Sequence, residues 1–435
     1  MKNPINKRKY YAVKLTLVSP LAVSNGEDYY SDADVLRNGS GETFIPGTSL
    51  AGAFRNYLNK KDGYESLFGY SKDKEGLMSA IYISDLYFED TGVKVSLRDR
   101  VKLLEDKTVE NKFDQEIMET GASGILYLEY VLRKNQESSA YEDYLVYCIY
   151  GMQSGEIRFG SDKNRGYGRV RITDVYEKEF VSDNVEEWLK FQKAQKDDLE
   201  QYDHHTYEEW KEKNPGAADQ YVHITMPLRQ KGGISIRTYS AKSKKADYAH
   251  ITCNDQPVIP GSSWCGAIRA DARNILAEAG IKKIDQKMNK WFGCMKQKKR
   301  KGEQQAELDN QSLVVVGESI LREGTMLPMT RNKINRFNNS TVTGALYSEI
   351  SYVNGKTELE LMVRKNTEEN YKAIVGLLFL VLGDIQRGYL AVGGQTAVGR
   401  GIFEANGEIV CSEKISEEEC LRALYGEVNN EITGS

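Results

Sequence analysis

The sequence predicts an α+β protein made of two tandem copies of one module. Three observations carry that prediction. Four short blocks each occur twice, in the same order. Each copy opens with an alternating strand that leads, through a polar loop and a Pro-Gly turn, into a helix. Each copy closes with a second helix, a glycine-rich loop and a final strand. A chain of 435 residues suits two or three domains better than one.

The blocks define the repeat. Ile45-Pro46-Gly47-Thr48-Ser49 returns as Ile259-Pro260-Gly261-Ser262-Ser263, with Arg55 and Arg269 each ten residues after the isoleucine. Arg98-Asp99-Arg100-Val101 is echoed by Arg331-Asn332-Lys333-Ile334, and Leu126-Tyr127-Leu128-Glu129 by Leu346-Tyr347-Ser348-Glu349. Gly160-SDKNR-Gly166-Tyr167-Gly168 is echoed by Gly393-GQTAV-Gly399-Arg400-Gly401. The offsets fall between roughly 210 and 235 residues. The first module is assigned to 1–180 and the second to 218–410. A charged, helix-periodic segment (181–217) between them reads as a linker or as an insertion on one module, and 411–435 as a mostly acidic tail.

Within each module the elements follow one plan. Strands are expected at Tyr10 to Val18 and at Tyr221 to Leu228. In the first helix Leu50, Ala53, Phe54, Tyr57 and Leu58 recur at i, i+3, i+4, i+7 and i+8, with Thr48 or Ser49 placed as N-cap. Further strands fit Ala80 to Phe88, Ile125 to Leu132 and Ser312 to Leu321. Second helices fit Glu142 to Met152 and Glu368 to Arg387. The order β–α–β–β–α–β matches a ferredoxin-like (RRM-like) sheet with helices on one face, its surplus length placed in insertions.

Composition narrows the function classes. The net charge of −4 argues against a protein coated in positive charge, though not against a local basic groove. Basic residues cluster at Arg98 to Lys102, Lys163 to Arg171, Lys296 to Lys301 and Arg331 to Arg336; the third run reads equally as a loop. No apolar run is long enough for a membrane span; Ala373 to Leu382 reads as a buried helix. Six cysteines without CxxC spacing, behind an N-terminus that lacks a signal peptide's apolar core, predict free thiols in a reducing cytoplasm. The first 200 residues contain no histidine, so any chemistry there works without imidazole.

Three motifs suggest contact with a phosphate chain. A helix start exposes unpaired N–H groups, so Thr48, Ser49, Ser262 and Ser263 mark either phosphate sites or plainly capped helices, with Arg55 and Arg269 nearby as counter-charges. The glycine-rich blocks let a backbone approach closely, and Lys163, Arg165, Arg169 and Arg400, with Gly166, Gly394 and Gly399, form either a phosphate cradle or a tight turn. They are not P-loops, because no Gly-Lys-Ser/Thr follows. The acidic loop Glu27 to Asp34 offers carboxylates of the kind hard cations prefer, or is a solvated loop; Asp247 lies in the matching stretch of the second repeat.

Together these blocks resemble the RAMP superfamily, and within it the backbone subunits of type III CRISPR effector complexes. The stretch SDADVLRNGSGETFIPGTSLAGAFR, the Arg98-Asp99-Arg100 block, Lys112-Phe113-Asp114 and the glycine-rich loop carry the likeness. It is weaker in the second repeat, where no Lys-Phe-Asp element is found. The resemblance implies stacking along a guide (CRISPR) RNA with Arg98, Arg100, Arg331 and Lys333 among the RNA-binding residues, and other effector subunits as partners. It implies a thumb hairpin in each module, within about 103–122 and 335–345. It also implies metal-dependent cleavage of a complementary target RNA, with Mg²⁺ or Mn²⁺ at Asp32; Asp34 is the alternative and Asp247 the second module's counterpart. A non-catalytic guide-RNA-binding subunit is the competing expectation. A histidine-dependent processing nuclease fits the histidine-free first module poorly.

Overall fold

The computed structural model describes residues 4–433 apart from 25–30, 60–62, 73–74, 90–92, 104–108, 135–139, 182–184, 194–197, 217–219, 240–245, 294–310 and 366–367. Glu27 and Asp28, the Lys296 to Lys301 run, Cys294 and part of the first expected thumb therefore lie outside the described residues. The chain is a mixed α+β protein of two compact units. The first comprises 1–163 and 167–219, the second 164–166 and 220–435.

In the first unit the elements are β1 (Ile5–Leu17), α1 (Gly47–Leu58), α2 (Tyr64–Phe68), β2 (Ile81–Ile83), β3 (Val95–Leu103), β4 (Val109–Met118), β5 (Ser123–Arg133), α3 (Ala140–Ser154), β6 (Val170–Val181), α4 (Val185–Lys193), β7 (Asp203–Thr206) and α5 (Tyr207–Lys213). The main sheet runs β7-β6-β1-β5-β2, all antiparallel, and β3 and β4 form a separate hairpin. Counting only β1, β2, β5 and β6, the spatial order is fourth, first, third, second.

The second unit contains β8 (Tyr221–Lys231), β9 (Arg237–Tyr239), β10 (Tyr248–His250), α6 (Gly261–Glu278), α7 (Ile284–Phe292), β11 (Val314–Val316), β12 (Thr325–Arg331), β13 (Tyr347–Val353), β14 (Lys356–Arg364), α8 (Tyr371–Gln386), β15 (Ile402–Ala405) and α9 (Glu417–Thr433). Its sheet runs β15-β8-β14-β11, the same fourth-first-third-second order, and β12 and β13 form its hairpin.

Each core follows from the periodicities. Helix α1 buries Leu50, Ala53, Phe54, Tyr57 and Leu58, the positions its 3.6-residue spacing selects. Helix α8 is buried nearly all round from Ala373 to Ile385, which explains its apolar run. No helix among the described residues is long and apolar enough to cross a membrane.

The segment expected to be a linker or an insertion packs on the first unit. Alternate residues of β1 serve two faces: Tyr11, Val13 and Leu15 join the main core, and Tyr10 and Ala12 a second cluster with Phe180, Phe191 and Tyr202. Phe191 of α4 lies 5.0 Å from Tyr10 between ring centroids, and Trp188 Nε1 donates to the Tyr10 hydroxyl at 3.1 Å. Strand β7 extends the sheet beyond β6, and Trp210 of α5 is wholly buried in the main core.

One expectation changes. Leu126 to Glu129 lies in β5, inside the main sheet, whereas Leu346 to Glu349 leads into hairpin strand β13, so that echo does not join equivalent strands. The strand that does match β5 is β14, whose alternating KTELELMVR pairs along β8.

Trp210→Ala is expected to destabilise the first unit by about 3–5 kcal/mol. Urea unfolding checks this: an unmoved first transition would show that α5 is only appended.

Candidate functional site

The helix starts are tighter than the motif suggests. A Cβ on Gly47 would stand 2.5 Å from the Ile83 carbonyl, and one on Gly261 2.5 Å from the Val316 carbonyl, so only glycine fits. The N-caps are Pro46 and Pro260, with no side-chain cap. Thr48 and Ser49 already lie inside the first turn of α1, past the position from which a cap reaches back, and both are exposed. The Gly47 amide donates to Asp85 Oδ1 at 2.7 Å, and those of Ser49 and Leu50 to the Pro46 carbonyl. In α6 the amides of Ser263 and Trp264 donate to the Pro260 carbonyl, while the Ser262 side chain is exposed. The positive end of α1 thus already holds a carboxylate of its own chain.

The paired arginines have a packing role. Arg55 Nη2 reaches the Gly69 carbonyl at 3.4 Å, just past α2, and lies over the Phe68 ring. Arg269 Nη1 reaches the Gly293 carbonyl at 2.9 Å, just past α7. Each places a cation on the C-terminal carbonyls of the next helix. This accounts for their recurrence without a ligand.

The glycine-rich loops share one backbone. Gly160, Asp162, Gly166 and Gly168 have φ of 75°, 53°, 91° and 75°; Gly393, Gln395, Gly399 and Gly401 have 94°, 59°, 80° and 73°. A 3-10 turn sits inside each, at Lys163–Arg165 and Thr396–Val398. A Cβ on Gly168 would lie 1.8 Å from the Phe159 carbonyl, and one on Gly401 1.8 Å from that of Val392. Gly394 donates to the Ser235 carbonyl, matching Ser161 to Ala22. Burial lowers the pKa of the Lys163 ammonium. Arg165 and Gly166 fall within the second compact unit, and Arg169 packs against Gly155 behind α3.

Each loop is fastened to its unit's hairpin. Arg100 on β3 binds Asp162 at 2.5 Å, and Arg98, buried, donates to the Tyr167 hydroxyl at 3.1 Å. Gln115 on β4 reaches Ser161 at 3.3 Å. In the second unit Glu349 on β13 accepts from Gln395 at 3.2 Å, and Arg400 reaches Met329 Sδ at 3.5 Å. Arg331 ends β12, and Lys333 is exposed in the connection beyond it. The hairpins occupy Val95–Met118 and Thr325–Val353, each wider than the expected thumb, and Phe337 is fully exposed near the end of the second.

On the other side of each hairpin stands an aspartate. The Asp32 amide donates to Asp114 Oδ1 at 3.0 Å, and the Asp114 amide to Asp32 Oδ2 at 2.9 Å. The Asp247 amide donates to Ser348 Oγ at 3.1 Å, and the Ser348 amide to Asp247 Oδ2 at 2.7 Å. Asp32 and Asp247 are exposed and hold the same relation to β4 and β13. The counterpart of Lys112-Phe113-Asp114 is therefore Leu346-Tyr347-Ser348. Asp34 is buried and accepts from the Ser31 hydroxyl, which ties it into its own loop. The Ser348 amide and hydroxyl hold the Asp247 carboxyl below the usual aspartate range, so it is an ionised acceptor and a weak base.

No group of three or more His, Cys, Asp or Glu side chains able to hold a metal occurs among the described residues. A magnesium-type cation can use one or two carboxylates with substrate phosphates completing its shell, and Asp32 with Asp114, or Asp247 alone, fits that limited demand.

A sequence model of the RAMP superfamily matches residues 14–171 and 245–404, together more than half of the chain. The chain belongs to the RAMP superfamily. No curated protein matches it. Each RAMP region carries an exposed aspartate bonded to a long hairpin, a Pro-Gly helix start and a glycine-rich loop. Reading the sequence alone missed Asp114, Gln115, Ser348 and Glu349 as partners of those motifs. Their signal was a pair of consecutive polar residues on a hairpin strand, one facing each side, visible only once the register is known.

His250, beside Asp247, is buried, with its pKa pushed down to about 4 by burial; it accepts from the Ile236 amide and bonds the Val258 carbonyl. Its folded pKa lies below the unfolded value, so its contribution is whole above about pH 6.5 and is lost as pH falls toward 4. The second unit should lose about 3 kcal/mol over that window. His250→Gln, which keeps a donor and an acceptor, should flatten the slope in urea titrations; an equal slope refutes the assignment.

Proposed function

We propose that this chain is a backbone subunit of a type III CRISPR ribonucleoprotein. It is read as a tandem of two RRM-like modules that occupy successive positions on one guide RNA, and as cutting a complementary target RNA beside each hairpin. One observation carries the reading: an exposed aspartate is hydrogen-bonded to a hairpin that is itself fastened to a glycine-rich loop, and this occurs once in each RAMP region.

The division of labour follows from the chemistry. Exposed loop residues and cations such as Lys333 grip the ribose-phosphate backbone, while base pairing supplies sequence specificity, as in other RNA-guided systems. An acidic protein can do this, because only the surface facing the guide must be basic. Asp32 and Asp247 are held on the return strands of the hairpins, at Asp114 opposite Asp99 and at Ser348 opposite Thr330. The depressed pKa of Asp247 suits a charged ligand better than a proton acceptor. A divalent cation such as Mg²⁺ or Mn²⁺, when bound there with RNA phosphates, would polarise the scissile phosphate. In a second reading, a purely structural guide-binding subunit, Asp32 and Asp247 serve only to fasten the hairpins through the Asp114 and Ser348 amides.

Asp32→Asn and Asp247→Asn keep the oxygen that holds the hairpin and remove only the charge. In the assembled complex each is expected to abolish one cut, by at least about 100-fold, while the co-purifying guide-length RNA is retained. Unchanged cutting at every position would establish the structural reading. Absence of any co-purifying RNA would sink both.

A further inference from the structure

We infer that Gln115 and Glu349 are positioning residues. They lock the return strand of each hairpin to the glycine-rich loop, so that a ligand gripped by the loop also fixes where Asp32 or Asp247 stands. The lock itself follows from the fold; its use on RNA rests on the function proposed above.

Glu349 is wholly buried, yet it is a carboxylate facing three elements. Its Oε2 accepts from Arg237 of β9 and from Gln395 of the loop, both at 3.2 Å, and its Oε1 from Ser351 at 3.3 Å. Burial pushes its pKa up, and the Ser235 and Gln395 hydrogen bonds with the Arg237 and Arg331 charges outweigh that and hold it low. A buried charge with this many partners holds its surroundings in one arrangement, because each partner left unpaired is costly. One residue earlier on the same strand, Ser348 receives Asp247.

The loop side supplies independent support. Gln395 has φ of +59°, a region non-glycine residues seldom adopt. Asp162, at the same place in the first loop, has φ of +53°. In both loops the residue in this conformation is the one the hairpin holds: Gln395 by Glu349, and Asp162 by Arg100. Backbone of this kind persists where its surroundings over-determine it. The first unit builds the lock with different chemistry, from Arg100 with Asp162 and Gln115 with Ser161. Different side chains serving one connection argue that the connection itself matters.

The test is amide hydrogen exchange on the RNA-free full-length chain. Glu349→Ala should accelerate exchange in β12–β13 and in 391–401 together, by roughly tenfold or more. Gln395→Ala, which removes only the loop's half, should accelerate both segments to a smaller extent. Glu349→Gln, which keeps one acceptor oxygen but removes the charge opposite Arg237, should accelerate both segments by less than Glu349→Ala. Acceleration confined to one segment, or absent in both, overturns the lock. Should Glu349→Ala fail to fold, the Gln395→Ala result decides. In the assembled complex, Glu349→Ala should weaken the cut assigned to Asp247 at least tenfold and spare the one assigned to Asp32; equal loss at both overturns the positioning role. If the unaltered protein holds no RNA, the proposed function fails, while the exchange result still decides the lock.

Discussion

The return strand of each hairpin is gripped at two consecutive residues from opposite sides. Neighbours on a strand point to opposite faces, so position 114 can meet the acidic loop while position 115 meets the glycine-rich loop. Positions 348 and 349 do the same in the second unit. The acidic loop continues along β4, with the Glu116 amide donating to the Ala33 carbonyl and the Val35 amide to Glu116. In the second unit β10 runs parallel to β13, pairing Tyr248 with Glu349. A single strand therefore sets the distance between the candidate cutting group and the loop proposed to hold the RNA backbone.

That arrangement needs the glycines before it needs any ligand. At Gly168 and Gly401 the chain passes so close to the carbonyls of Phe159 and Val392 that no side chain fits. The same amides close the loop: Gly168 donates to the Pro20 carbonyl and Gly401 to that of Gly233. The motif is thus architectural first. Its charged positions are free to differ, and they do: Tyr167 in one loop stands where Arg400 stands in the other, and their hairpin partners are Arg98 and Met329.

Helix periodicity made α1 and α8 legible, because the buried positions of a helix are written directly into its spacing. Strands β1, β5 and β8 were legible from their alternation, but β14, the second unit's counterpart of β5, was not read as a strand. What stayed hidden depends on pairing between distant segments. Leu126-Tyr127-Leu128-Glu129 and Leu346-Tyr347-Ser348-Glu349 share letters because both are alternating runs, yet they enter different sheets. Arg55 and Arg269 recur at a fixed place, a pattern that a ligand site and a helix cap produce equally well. Thr48 and Ser49 failed as caps because Pro46 caps the helix two or three residues sooner. Asp32 and Asp247 were found through their neighbours in sequence, and what gives them a common setting, the strand residues 114 and 348, lies about 80 and 100 positions away.

The two settings differ by one charge. Asp114 places a second carboxylate beside Asp32, whereas Ser348 gives Asp247 a neutral hydroxyl. Two carboxylates attract a divalent cation more strongly than one, and affinity for hard cations rises with the number of charged oxygen ligands. They also repel each other when no cation is present, a tension that the reciprocal amide hydrogen bonds offset. The second unit has no such repulsion, and its aspartate is stabilised by donors alone. If both positions cut RNA, the first is therefore the one whose activity should persist to lower cation concentration. The second must draw more of the cation's shell from the RNA itself.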